Sequence, residues 1–202
     1  MEPMKDSYHS IAGESRAIYR EKASKFLAVA LPVSTEEEVK ACLDELRKVY
    51  HDANHHCYAY RLGADNQAYR VNDDGEPSGS AGKPIYGQIL SVGLSDILIV
   101  VIRYFGGTKL GIPGLIHAYK TTAREALEQA VVIEKIMSAR YTVTFDYQMM
   151  NEIMRILKDE GVKISKQTSL DRCQIDFEIR RSFAEKIENR LNRLRDITLV
   201  LK

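Results

Sequence analysis

The sequence predicts an α+β protein in two parts, and three observations predict it. Ten of the twelve glycines fall between Gly63 and Gly114, so the unusual backbone is confined to the first two-thirds of the chain. The last third instead alternates short β-prone runs with two apolar helical stripes in the order β-α-β-β-α-β, which describes a split βαβ, ferredoxin-like unit. Charge changes sign at the same place: residues 1–135 hold 16 Lys and Arg against 18 Asp and Glu, and residues 136–202 hold 13 against 10. The expected domains are therefore 1–136 and 137–202.

Composition narrows the function classes. The chain has 202 residues, 45% hydrophobic and 28% charged, with a net charge of +1. That composition excludes intrinsic disorder, which needs low hydrophobicity and high net charge, and lacks the strongly basic signature of many nucleic-acid binders. The longest apolar run, Ile97–Ile102, is far short of the ~20 residues that span a bilayer. Met1–Arg20 contains no apolar signal-peptide core. The three cysteines, Cys42, Cys57 and Cys173, are odd in number and widely spaced, which argues against a disulfide framework and for a reducing cytoplasm. A cytoplasmic protein with no membrane partner is expected.

Each element has its own signal. In the first part, Ala23–Val33 reads as a strand ending at Pro32. Ser34 or Thr35, with Glu37 or Glu38 three residues on, caps a helix whose apolar face is Val39, Cys42, Leu43, Leu46 and Val49. Strands follow at His56–Leu62 and Gln67–Val71, then a Gly-rich loop over Asn72–Lys83 and a short helix at Ile85–Ser91. Asp96–Phe105 reads as a buried strand, followed by a second Gly-rich loop and a helix from about Gly114 to Ala130. In the last third, Tyr141–Phe145 is a strand, and Tyr147–Lys158 is a helix closed by Gly161. Val162–Ser169 and Gln174–Ile179 are strands. Ser182 and Glu185 form a capping box before a stripe of Phe183, Ile187, Leu191 and Leu194, and Ile197–Leu201 closes as a strand.

Four regions carry candidate chemistry. The first loop, Asp73-Asp74-Gly75-Glu76-Pro77-Ser78-Gly79-Ser80-Ala81-Gly82-Lys83, gathers three carboxylates, but it matches neither an EF-hand nor a P-loop. It is read either as a loop whose carboxylates cap backbone amides or as a polyanion or protein contact; a metal is not expected. The second, Arg103-Tyr104-Phe105-Gly106-Gly107-Thr108-Lys109-Leu110-Gly111, runs from a buried strand into a helix. Free amides at that helix N-terminus, with Arg103 and Lys109, attract anions, and Tyr104 and Phe105 offer stacking faces. The competing reading is a bend that lets strand and helix pack closely. The third is His51–Cys57, where His56 and Tyr58 share one strand face and Cys57 and Ala59 the other. There Cys57 is most simply a core residue, the ligand spacing of a zinc site is absent, and a nucleophilic Cys57 would need His55 or His56 as its base although strand neighbours point apart. The fourth is the basic content around the last helix, including Arg180, Arg181 and Arg190, interleaved with acids that suggest a solvated face or a surface for RNA or protein.

The segments DDGEPSGSAGKPI and VIRYFGGTKLG, with HHCYAYR before them, resemble the YigZ/Impact family over residues 15–125. The last third looks like the C-terminal domain of the bacterial YigZ-type members. The resemblance implies an N-terminal module with the fold of ribosomal protein S5 domain 2, and a ferredoxin-like domain similar to the last domain of elongation factor G. It adds His55, His56, Tyr60 and Arg61 to the binding candidates. Two departures stand out. Ser80 replaces the family's usual Thr and keeps the hydroxyl. The run Gly111-Ile112-Pro113-Gly114-Leu115-Ile116-His117-Ala118-Tyr119 puts Pro113 where the family has Gly and His117 where it has Arg. Pro113 removes one amide donor, and His117 replaces a permanent charge, so any anion contact there weakens and becomes pH-dependent.

The resemblance implies a non-catalytic, translation-associated regulator that binds RNA or the ribosome, or a translation-regulating protein. No cofactor, metal or DNA specificity is expected. Two alternatives remain open: a small-molecule enzyme with Asp74 or Glu76 as base and Arg103 or Lys109 as electrophile, and a pure protein-interaction module.

Overall fold

The structure, a computed structural model, describes residues 6–64, 68–169 and 171–202. The fold is α+β with antiparallel sheets, and the chain clusters into two compact units. Tyr8–Lys135 forms one. Ile136–Lys202, with Asp6 and Ser7, forms the other. The chain runs β1 (Ser7–Ile11), β2 (Ser15–Glu21), β3 (Ser24–Pro32), α1 (Glu36–Val49), β4 (His55–Leu62), β5 (Ala68–Asn72), α2 (Gly82–Ser91), β6 (Ile97–Tyr104), α3 (Gly111–Glu128) and β7 (Val132–Ile136). It continues through β8 (Ser138–Phe145), a 3-10 turn at Tyr147–Met149, α4 (Met150–Asp159), β9 (Lys163–Ser169), β10 (Cys173–Arg180), α5 (Arg181–Leu191) and β11 (Thr198–Leu201). Gln67, the first residue of one expected strand, lies outside the described residues.

The larger unit is a five-stranded sheet in the order β2-β3-β6-β4-β5. β6 is central, and Ile97–Ile102 are all fully buried. An uninterrupted apolar run is what a strand covered on both faces requires. Alternation assigns Ile97, Ile99 and Val101 to the face packed by α2 and α3, and Leu98, Val100 and Ile102 to the face packed by α1. Each such side chain contributes about 1.5–3 kcal/mol relative to exposure. Of the two possible caps of α1, Thr35 is the one used. Its hydroxyl accepts from Glu38 N at 3.2 Å, while the Glu38 carboxylate accepts from Ser34 N at 2.6 Å. Three acids open the helix and Arg47 and Lys48 close it, complementing its dipole.

Three strands carry no clear signal in the sequence. β2 pairs with β3, and β1 pairs with β7 in a separate two-stranded ribbon. The ribbon is pinned by Asp96, which takes a left-handed backbone (φ 55°). Its carboxylate accepts from Tyr8 Oη at 2.5 Å, Lys135 Nζ at 3.1 Å and Gly63 N at 2.9 Å.

The smaller unit is a four-stranded antiparallel sheet in the order β11-β8-β10-β9, with α4 and α5 on one face. Its element order is the β-α-β-β-α-β read from the pattern. Gly161 ends α4 with φ 63°, donating to the Lys158 carbonyl at 3.0 Å. The expected capping box does not form. α5 begins at Arg181, so Ser182 is already inside the helix, and its hydroxyl donates to Asp6 Oδ2 at 2.7 Å. The expected apolar stripe is also shorter: Ile187 and Leu191 are buried, but Phe183 is 47% exposed.

Candidate binding site between the glycine-rich loops

The first loop is organised around Asp73. Its carboxylate accepts from the amides of Gly79 (2.8 Å), Ala81 (3.0 Å) and Gly82 (2.8 Å). These bonds fold the loop back and start α2 at Gly82, three residues before the expected start. Gly82 admits no side chain, because a Cβ would lie 2.7 Å from Asn72 N. Burial acts to raise the Asp73 carboxyl, but the three amides and the Lys83 charge outweigh it and hold the group below its ordinary range. Asp73 therefore caps amides. Ser80 is buried and its hydroxyl donates to the Pro77 carbonyl at 2.6 Å, whereas Ser78 and Lys83 are exposed. Asp74 ties the loop to β4 and α1: its carboxylate accepts from His56 N at 2.6 Å and lies 3.6 Å from Arg47, and its carbonyl meets His55 Nδ1 at 2.8 Å.

The second loop meets the first through Glu76. The Glu76 side chain is 4% exposed and that of Arg103 is 6% exposed. Arg103 Nη1 donates to Glu76 Oε1 at 2.6 Å, and Tyr119 Oη donates to the same oxygen at 2.8 Å. His55 Nε2 stands 3.9 Å from it. Behind Tyr119, the Cys57 thiol lies 3.3 Å from the phenol oxygen and 3.0 Å from the Asp73 carbonyl. Burial pushes both the Cys57 thiol and the Tyr119 phenol well above their ordinary values, so both stay protonated. The Arg103 guanidinium is centred 5.4 Å from the ring of buried Phe26 and 5.4 Å from that of exposed Phe105. Its Nε is buried and makes no hydrogen bond among the described residues.

Arg103, expected with Lys109 to attract anions, is thus a buried cation already paired with Glu76. Around it opens a cavity of about 350 Å³, lined by Glu76, Pro77, Arg103, Phe105, Lys109, Leu110, Gly111, Ile112 and Leu115. α3 starts at this cavity, three residues before the expected start, with Pro113 inside its first turn. No side chain caps it, and its first turn carries no acid.

Gly106 and Gly107 shape the second loop differently. A Cβ at Gly106 would lie 2.1 Å from the Ala23 carbonyl carbon, so close packing demands glycine there, while Gly107 takes φ 84° over open space. Gly106 thus serves close packing, and Gly111 stands at the N-terminus of α3 beside the cavity that Lys109 also lines.

The structure separates the remaining candidates. Tyr104 points to the α1 face, donating to Asp52 Oδ1 at 3.0 Å, because strand neighbours alternate. His56 and Tyr60 share that face, and the Tyr60 hydroxyl donates to Glu36 at 2.7 Å. Arg61 is at the other end of β4, opposite Ile97, where Nη1 donates to the Leu94 carbonyl at 3.0 Å. His117 is exposed and stacks edge-on against Tyr19 at 6.1 Å, and it does not line the cavity. In the smaller unit Arg180 is exposed and Arg181 half-buried, while Arg190 pairs with Glu160 at 2.5 Å and Asp159 at 3.1 Å. Sequence reasoning missed Tyr119 as a site residue. The signal was present: Gly111, Leu115 and Tyr119 recur every four residues, which puts them on one helix face.

Fold and site together define an α+β protein whose two Gly-rich loops close on a buried polar cluster beside a small cavity. The Impact N-terminal domain matches residues 22–127. The IMPACT family member YigZ of Escherichia coli is 37% identical over 138 residues, covering 67% of this chain and 68% of that protein. An IMPACT homolog of Dictyostelium discoideum is 39% identical over 107 residues, 50% of this chain and 30% of that one. A solved structure described as a hypothetical protein superposes with a TM-score of 0.76 at 28% identity, covering 98% of both chains. The chain belongs to the IMPACT family.

Proposed function

We propose that this chain is a non-catalytic, cytoplasmic regulator tied to translation, which binds RNA or the ribosome through the loop end of its five-stranded sheet. The observation that carries the non-catalytic reading is the mutual satisfaction of the reactive groups. Asp73 is saturated by three amides. Glu76 is taken by Arg103 and Tyr119, and Cys57 is a protonated thiol. None is left as an activated nucleophile or base. Membership of a family whose eukaryotic members are named IMPACT supports a regulatory role. The link to translation rests on the resemblance of the two units to modules of ribosomal protein S5 and elongation factor G, a fold-level analogy.

The structure changes which variant tests this. Removing Arg103 would leave Glu76 buried and unpaired, so the exposed Lys83 and Lys109 are the cations to remove. The full chain and its Lys83→Ala/Lys109→Ala form are sedimented with ribosomes and with bulk RNA across a salt series. Phosphate contact gives binding that falls log-linearly with salt, with a slope smaller by about two in the double variant. Salt-insensitive binding to ribosomes moves the contact to ribosomal protein, which the exposed Phe105 and Ile112 would serve. Absence of binding at low salt overturns the reading.

A further inference from the structure

The cavity beside Arg103 has a chemistry that a flat macromolecular contact does not use. Its walls are apolar, from Phe105, Leu110, Ile112 and Leu115, and its polar groups are almost all cationic or donors. Glu76 is the one carboxylate in the lining, and its charge is matched by Arg103. Lys109 then remains as surplus positive charge, together with the N-terminus of α3. That N-terminus belongs to a helix of 18 residues, has no side-chain cap and has no acid in its first turn. Gly111 and Ile112 of that turn line the cavity, and helix amides of this kind are matched by anions. Pro113 has no N–H, so the donors are concentrated on the two residues at the cavity. Independently, Arg103 is 95% buried and lines the same cavity, and its Nε–H, shielded from solvent, meets no acceptor among the described residues. One of its nitrogens donates to Glu76, and a guanidinium keeps further donors in its plane that suit an oxyanion. The volume falls in the range of small-ligand sites, roughly 300–1,000 Å³.

We propose that this cavity binds a small oxyanion, a phosphate or carboxylate, carried on an apolar group. The oxyanion sits between Lys109, the first turn of α3 and Arg103. The apolar group packs on Phe105, Ile112 and Leu115. The proposal rests on the loop end being a binding surface, but its probes are small molecules and need no ribosome. Ligand binding without ribosome binding therefore keeps the cavity and removes only the translation reading.

The test titrates the full chain with phenyl phosphate, benzoate, inorganic phosphate and phenol, followed by amide NMR shifts. Saturable binding with a Kd below about 1 mM is expected for phenyl phosphate or benzoate. Inorganic phosphate should bind at least about tenfold more weakly, since it lacks the apolar body. Shifts should centre on Phe105 and Lys109–Leu115. A phosphate preference identifies a phosphate ester as the ligand class, and a benzoate preference a carboxylic acid. Lys109→Ala should weaken binding about tenfold. Ile112→Asp, at an exposed position, should abolish it by placing a negative charge in the first turn. Lys48→Ala on α1 should leave it unchanged. Three results overturn the proposal: no saturable binding of either aryl anion, phenol binding as tightly as the anions, or wild-type affinity in both Lys109→Ala and Ile112→Asp.

Discussion

Replacing Glu76 with alanine would remove the one side-chain acceptor that, among the described residues, serves both the Arg103 Nη1 and the Tyr119 hydroxyl, in a place where both side chains are buried. Breaking a buried pair from one side costs about 3–5 kcal/mol, because the partner charge stays behind uncompensated. Orphaning the buried Tyr119 hydroxyl adds about 1–3 kcal/mol. The two losses share one oxygen and do not add fully, so a total of about 4–6 kcal/mol is expected. Glu76→Gln keeps the shape and an oxygen acceptor while losing the charge. Its cost should be the difference between charged and neutral hydrogen bonds, about 1–2 kcal/mol. Glu76→Leu/Arg103→Met removes both charges together and should recover most of the alanine loss, since an apolar replacement of a buried pair is close to neutral. Native-state amide exchange of β4 and β6 is the assay of choice, because it reports on the larger unit within the intact chain. A loss below about 1 kcal/mol in Glu76→Ala would refute the argument, and so would a double variant no better than the single one.

Outcomes at Asp73, His56 and the Gly106–Gly107 pair follow from the same geometry. Asp73→Ala should cost about 1–2 kcal/mol by uncapping the start of α2, read as faster exchange of the Gly79–Gly82 amides. The Asp73 pKa is lowered in the folded state. Its stabilisation is thus fully present above the unfolded value of 3.8 and lost as pH falls through the folded one; Asp73→Asn should flatten that acid limb of the unfolding curve. His56 is shifted down from 6.5, by burial first and against the pull of Asp74. The folded state therefore disfavours its proton, and stability present above pH 6.5 should fall as pH drops through the folded pKa; a His56→Phe protein with an unchanged slope in urea unfolding at pH 7 and pH 5 would remove this assignment. Gly106→Ala should cost about 3 kcal/mol or prevent folding through its clash with the Ala23 backbone. Gly107→Ala, over open space at φ 84°, should cost only about 1–2 kcal/mol by the same urea measurement.

What the sequence made legible follows from periodicity. α1, β6 and the whole β-α-β-β-α-β order announce themselves because their buried faces repeat at 3.6 or 2 residues. β2 was not legible, since its burial alternates weakly and every second residue is exposed. β1 and β7 are short, and their pairing spans the larger unit, so no local signal reports it. The loop motifs revealed which residues matter but not what each one does. The sequence left the loop carboxylates either capping amides or meeting a partner, and only the folded chain shows Asp73 spent on amides and Glu76 and Arg103 spent on each other. Ser182 failed as a cap for a related reason: Asp6 competes for its hydroxyl from a distant part of the chain.

The ribbon formed by β1 and β7 has an architectural consequence. The larger unit is entered and left at the same place, with the Ala12 amide bonded to the Val131 carbonyl at 2.8 Å and Tyr8 and Lys135 meeting on one carboxylate of Asp96. A fold whose two ends are clasped together is a cassette: splicing it into another chain stretches neither end and disturbs no interior packing. A domain of this kind can travel between proteins of different length, and the Dictyostelium discoideum homolog matches this chain over a stretch that is 30% of its own length.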